Sequence, residues 1–169
     1  MRTHLVIPDT QAKEGVPTDH LEWIGQYIVD RKPDVVVHLG DHADMPSLSS
    51  YDRGKAGFEG RRYWKDIKAA NEAFDILNRG IDENNAKLRK HKMRQWHPEK
   101  HILLGNHEDR IARAVENQAE LQGALSTDDL NYKQHGYTVP VQGCGRPGRR
   151  LVLPLFLQPQ QRQPVGRHD

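Results

Sequence analysis

The chain of 169 residues has one cysteine, Cys144, so neither a disulfide framework nor a thiolate zinc site can be built from it. No apolar run approaches the roughly 20 residues that a membrane-spanning helix needs. Met1-Arg2-Thr3-His4 runs directly into a strand-like segment without the apolar core of a signal peptide, so a cytoplasmic protein with no membrane partner is expected. Strong charge of one sign is also missing. The formal net charge is +2, but five arginines and one acid lie from Gly143 onward, which leaves the rest of the chain at −2. A nucleic-acid footprint should cluster on a folded face. Here the excess belongs to the tail.

What is present is a regular order of elements. Leu5-Val6-Ile7 reads as a short buried strand stopped by Pro8. Thr18 is a fair N-cap, and Leu21, Ile24 and Ile28 recur at helical spacing until Lys32-Pro33. Asp34 to Leu39 is a continuous β-branched run, as in a parallel strand covered on both faces. Together these predict a βαβ unit. Residues 45–58 read as an irregular loop. Tyr63, Ile67, Ala70, Phe74, Leu77, Ile81 and Leu88 then form one helical stripe, with Asn84-Asn85 as a point of interruption. The charged face of this helix (Lys87, Arg89, Lys90, Lys92, Arg94) reads either as solvated or as an anion-binding surface. Lys100 to Leu104 is a third strand, and His107 to Ala119 looks helical. Trp23, Trp64 and Trp96 read as packing residues.

Three blocks, each closing an apolar run, carry the chemistry. They are Asp9-Thr10-Gln11, Gly40-Asp41-His42-Ala43-Asp44 and Gly105-Asn106-His107-Glu108. Each would stand at the carboxyl end of a strand, where open α/β sheets hold their ligands. Hydrolysis of a phosphate ester requires a nucleophile at neutral pH and neutralisation of phosphoryl charge, and two divalent ions bridged by hydroxide supply both. A bridging carboxylate, further O or N ligands and a proton donor complete such a site. Asp41 suits the bridge, Asp9 and Gln11 one ion, and Asn106 the other. His107 would stand beside the ions as the acid for the leaving group, its second ring nitrogen held by Asp44. His42 lies close enough to touch substrate phosphate. Glu108 and Asp109 suit the dipole of the following helix. His38 and His101 read as packed or exposed residues.

These blocks resemble the calcineurin-like metallophosphoesterase superfamily, whose pattern is D-x-H, G-D-x-x-D, G-N-H-E/D, a lone His and G-H-x-H. The resemblance covers about residues 3–140. The stretch from Ile7-Pro8-Asp9-Thr10-Gln11 through Pro46-Ser47-Leu48-Ser49-Ser50-Tyr51-Asp52 looks like the phage and prophage branch. It implies an α/β fold of αββα sandwich type, here incomplete and with a long helical insertion. It also implies two Mn, Fe or Zn ions and a phosphate-ester substrate, with nucleotide and nucleic acid among the options. Gln11 stands where most members have His, which weakens one ion site and favours Mn.

The domain reads as residues 1–140, followed by an atypical tail at 141–169 that lacks the lone His and G-H-x-H. With suitable codons, Arg149 to His168 can be encoded by DNA whose neighbouring frame contains a Tyr-Ser-His-Tyr-Phe strand. An out-of-frame tail, and hence an incomplete second ion site, is the expectation, which the gene sequence decides. A catalytically inactive remnant and a nucleic-acid-binding accessory protein are the alternative functions.

Overall fold

The computed structural model describes residues 1–140, and the expectations for 141–169 fall outside them. Three strands and three α-helices alternate through these residues: β1 (His4–Ile7), α1 (Asp19–Arg31), β2 (Val35–His38), α2 (Tyr63–Lys90), β3 (Glu99–Ile102) and α3 (Asp109–Asn117). The sheet is parallel with order β1-β2-β3, His4 facing Val35 and Val35 facing Glu99. The chain is therefore α/β. Parallel neighbours need long crossovers, and α1 and α2 supply them.

β2 is buried along its whole length, as its β-branched run predicts. β1 departs from expectation, because Val6 is 53% exposed and only Ile7 is fully buried. β1 is an edge of this sheet, and its outer side has no cover among the described residues. Beyond β3, Thr138 continues the sheet by a single parallel bridge to His101, with the Ile102 amide donating to the Thr138 carbonyl.

α2 runs unbroken for 28 residues, so Asn84-Asn85 does not interrupt it. Asn85 is buried there, donating to the Trp96 carbonyl at 2.8 Å and accepting from the Trp96 amide at 3.0 Å. Its amide clamps the chain on its way back to β3. The apolar stripe of α2 packs Ala70, Phe74, Leu77 and Ile81 into one core with Ile28, Val36 and Ile102. α1 crosses α2 closely at Gly25, where a Cβ would stand 2.7 Å from the Leu77 carbonyl oxygen.

The loop between β2 and α2 contains two single 3₁₀ turns, Pro46–Leu48 and Ala56–Phe58. α3 begins at Asp109, two residues later than its periodicity suggests, because His107 and Glu108 are engaged elsewhere. Two tryptophans contradict their expected packing role: Trp23 is 72% and Trp64 61% exposed, whereas Trp96 packs against the core. The basic residues from Lys87 onward are exposed near the far end of α2. Lys87 lies roughly 36 Å along the helix axis from Tyr63, given a rise of about 1.5 Å per residue. No helix among the described residues is long and apolar enough to cross a membrane.

Candidate functional site

All three blocks follow the carboxyl ends of the parallel strands, and backbone hydrogen bonds lace them together. The Gln11 amide donates to the Asp41 carbonyl at 3.0 Å, Ala12 to the His42 carbonyl at 2.6 Å, and Asp44 back to the Ala12 carbonyl at 3.0 Å. The first and second blocks thus form a short parallel pairing beyond the sheet, marked by the Ala12–Ala43 bridge. The turns needed for this place Gln11, Asp41 and Met45 at φ of 44°, 49° and 49°. Left-handed backbone at non-glycine residues is costly and persists only where surrounding contacts hold it.

Glu108 supplies such a contact at Asp41 and holds the residues that follow it. The Glu108 carboxylate is 0% exposed and accepts five hydrogen bonds. Oε1 takes the amides of His42 (2.7 Å) and Ala43 (3.0 Å) and the Tyr132 hydroxyl (3.1 Å). Oε2 takes the amides of Asp41 (3.0 Å) and Gly105 (2.8 Å). A buried carboxylate is tolerable only when its lone pairs are filled in this way. The expected helix-dipole role of Glu108 is therefore corrected: the side chain turns into the core and binds the second block to the third. Asp109 does lie in the first turn of α3 and pairs with Arg113 at 3.0 Å. Gly105 completes the junction, since a Cβ there would overlap the Asp41 carboxylate and backbone nitrogen.

Within this frame the His107 amide donates to Asp41 Oδ1 at 2.8 Å. The His107 ring places Nδ1 2.9 Å from both Asp44 Oδ1 and the Asp44 carbonyl oxygen. A carbonyl can only accept, so Nδ1 carries a proton and Nε2 is the atom left for acid–base work. Arg110, one helical turn on, donates to the Asp44 carbonyl at 2.8 Å and brings Nη2 to 3.5 Å from His107 Nε2. Asp44 also pairs with Lys13 at 2.8 Å. Burial pushes the Asp44 carboxyl up, but Lys13 and His107 together outweigh it and hold it below the ordinary carboxylate value.

Asp9, Gln11 and Asn106 are exposed at this end of the sheet, and Asp41 is half-buried. These candidate ligands comprise two carboxylates and two amides. Such all-oxygen donors suit a hard divalent ion better than a soft one. Among the described residues no group of three or more His, Cys, Asp and Glu gathers closely enough to hold a metal ion.

His42 requires a correction. It is 0% exposed, its ring stacked 3.7 Å from Phe74 between centroids, and so cannot touch substrate. Its Nε2 donates to the Ala70 carbonyl at 3.0 Å, which leaves Nδ1 to accept from the Thr10 hydroxyl at 2.8 Å. The Thr10 oxygen then accepts from His38 Nε2 at 3.1 Å, and His38 Nδ1 accepts from the Gly40 amide at 3.2 Å. Every donor in this chain has one acceptor only while both rings are neutral. Burial drives His38 down to about 4, with Asp41 partly opposing, and drives His42 down to about 3. These histidines tie the first block to the second from below.

No protein-family model, curated protein or solved structure matches the chain. The case for a function rests on the site itself. Lys13, Arg110 and Tyr132 were not singled out from the sequence, and neither the hydroxyl bridge of Thr10 nor the buried role of Glu108 was foreseen. Arg110 could have been, because it stands three residues after His107 at the start of a helix and must share its face. Glu108 and Tyr132 carry no such local signal.

Proposed function

We propose that this chain is a metal-dependent phosphoesterase of the calcineurin-like metallophosphoesterase type, its described part an incomplete αββα sandwich. The observation that carries the proposal is the His107–Asp44 pair, oriented through Nδ1 and locked to Asp41 at the carboxyl end of a parallel sheet. Asp9, Asp41, Gln11 and Asn106 are the residues that would hold divalent metal, with Mn²⁺ favoured by their oxygen donors. A bound ion there supplies neutralisation of phosphoryl charge and acidification of water. The chain does the rest. His107 presents Nε2 to the departing oxygen and donates its proton there. Asp44 holds the ring in that orientation. Arg110 fixes the Asp44 carbonyl and adds positive charge beside Nε2, where the leaving oxygen becomes negative.

The test is hydrolysis of bis-p-nitrophenyl phosphate and p-nitrophenyl phosphate with added Mn²⁺, by the full chain and by its Asp41→Asn and His107→Ala variants. Manganese-dependent turnover lost in both variants is the expected result. Turnover equal in Asp41→Asn would overturn the assignment. One observation favours a second reading, a non-catalytic member of this type: no cluster of three or more His, Cys, Asp and Glu ligands forms among the described residues. A natively folded chain without turnover at millimolar Mn²⁺ would decide for it.

A further inference from the structure

The chain before Gly143 carries a formal charge of −2, but that charge is unevenly spread. From Asn84 to Pro98 there is no carboxylate, and within that stretch Lys87, Arg89, Lys90, Lys92 and Arg94 fall close together. All five are exposed, and none is paired with a carboxylate among the described residues. Elsewhere cations are spent on acids, as Arg61 is on Asp52 at 2.6 Å and Lys65 on Glu14 at 3.0 Å. Glu99, the next acid along the chain, is taken by Arg2 and His101.

These cations stand on a fixed support. The two hydrogen bonds between Asn85 and Trp96 close the chain at the base of this segment. α2 ends inside the closure, and the turn beyond it is held by the Lys92 amide on the Arg89 carbonyl at 3.0 Å and the Met93 amide on the Leu88 carbonyl at 2.9 Å. The result is a rigid basic knob. Neutralising the dipole at the end of α2 calls for charge in its last turn only, and Lys92 and Arg94 lie past it. β3 begins at Glu99, just after the knob, which therefore stands at the amino end of the sheet, opposite the candidate site.

Unpaired cations on a fixed surface suit a polyanion, because each phosphate they neutralise releases condensed counterions. Single strands are held by aromatic platforms as well, and the exposed large apolar side chain here is Met93 alone. A helix lying on a membrane needs its apolar face for lipid, and that of α2 is spent on the core. We propose that the knob docks the phosphate backbone of duplex nucleic acid without reading its bases, as a tether separate from the candidate esterase site.

Fluorescence anisotropy of a short labelled DNA duplex, titrated with the full chain in EDTA at several salt concentrations, tests the proposal. Five phosphate contacts give a slope of about −4.5 for log affinity against log salt. A Lys87→Gln, Arg89→Gln, Lys90→Gln variant should bring that slope to about −2 and weaken binding at low salt at least tenfold. These side chains are exposed, so glutamine there leaves the fold intact, and Lys87→Arg with Lys90→Arg should retain the duplex. Changing the five arginines from Arg146 to Arg167 to glutamine should cost less than threefold. Asp41→Asn should bind the duplex as the parent chain does, because the tether is not the esterase site. No binding at low salt, a knob variant that binds like the parent, or an equal or larger loss in the tail variant would overturn the proposal. So would loss of the duplex in Asp41→Asn, or its displacement by phosphatidylserine vesicles at equal phosphate concentration.

Discussion

Replacing Glu108 by glutamine changes one oxygen to an NH₂ group at the point where five donors converge. If the amide nitrogen takes the Oε2 position, the amides of Asp41 and Gly105 lose their acceptor and face a donor. If it takes the Oε1 position, three donors do. The less costly orientation still strands two buried N–H groups that had bonded to a charged acceptor, each worth about 1.5–3 kcal/mol. The expected loss is about 3–6 kcal/mol, a large part of the roughly 5–15 kcal/mol that a domain has in total. For a folded region of this size that corresponds to a Tm lower by about 10–20 °C. Thermal and urea unfolding followed by circular dichroism measure it, with Asp109→Asn, its exposed neighbour, as a control expected within about 0.5 kcal/mol. A Glu108→Gln variant as stable as the parent, or more stable because a charge has left the interior, would refute the argument.

Acid should weaken the fold before the carboxylates titrate. His38 and His42 are held neutral in the native state, at about 4 and about 3, below the ordinary 6.5 of an unfolded chain. Their stability is fully present above pH 6.5 and is lost as pH falls from there toward 4, because the unfolded chain binds protons that the native chain refuses. Each ring costs up to about 1.4 kcal/mol per pH unit in that window, and a urea midpoint that is flat between pH 6.5 and 5 would contradict it. Gly25→Ala drives a methyl to 2.7 Å from the Leu77 carbonyl and should cost about 1–3 kcal/mol by parting α1 from α2, as read from denaturant midpoints. Asp44→Asn should lower turnover at least tenfold, and more for phenyl than for p-nitrophenyl phosphate, since the poorer leaving group depends more on protonation by His107. An equal loss on both esters would remove Asp44 from that role.

Much of the scaffold was legible because its signals are local. The β-branched run at 35–37 and the three-and-four spacing from Tyr63 to Leu88 each state a period, and the period selects strand or helix without reference to the rest of the chain. The positions of the three blocks at strand ends followed from the same patterns, whereas the pairing of Asp44 with His107 was expected from the chemistry of an oriented acid. Burial of polar groups did not. His42 reads from the sequence as an open polar residue beside Asp41, yet Phe74 and the Ala70 carbonyl, both from α2, draw it into the core. Glu108 is sequence-adjacent to His107, but three of the four amides that claim its carboxylate come from 65 to 67 residues earlier. Trp64 looks like core by its type and is exposed because the stripe of α2 turns its neighbours inward instead. The sequence by itself determined the elements and which residue types reach the end of the sheet. Only the tertiary structure decided which of them face solvent and which hold the others in place, because that choice depends on partners brought from distant parts of the chain.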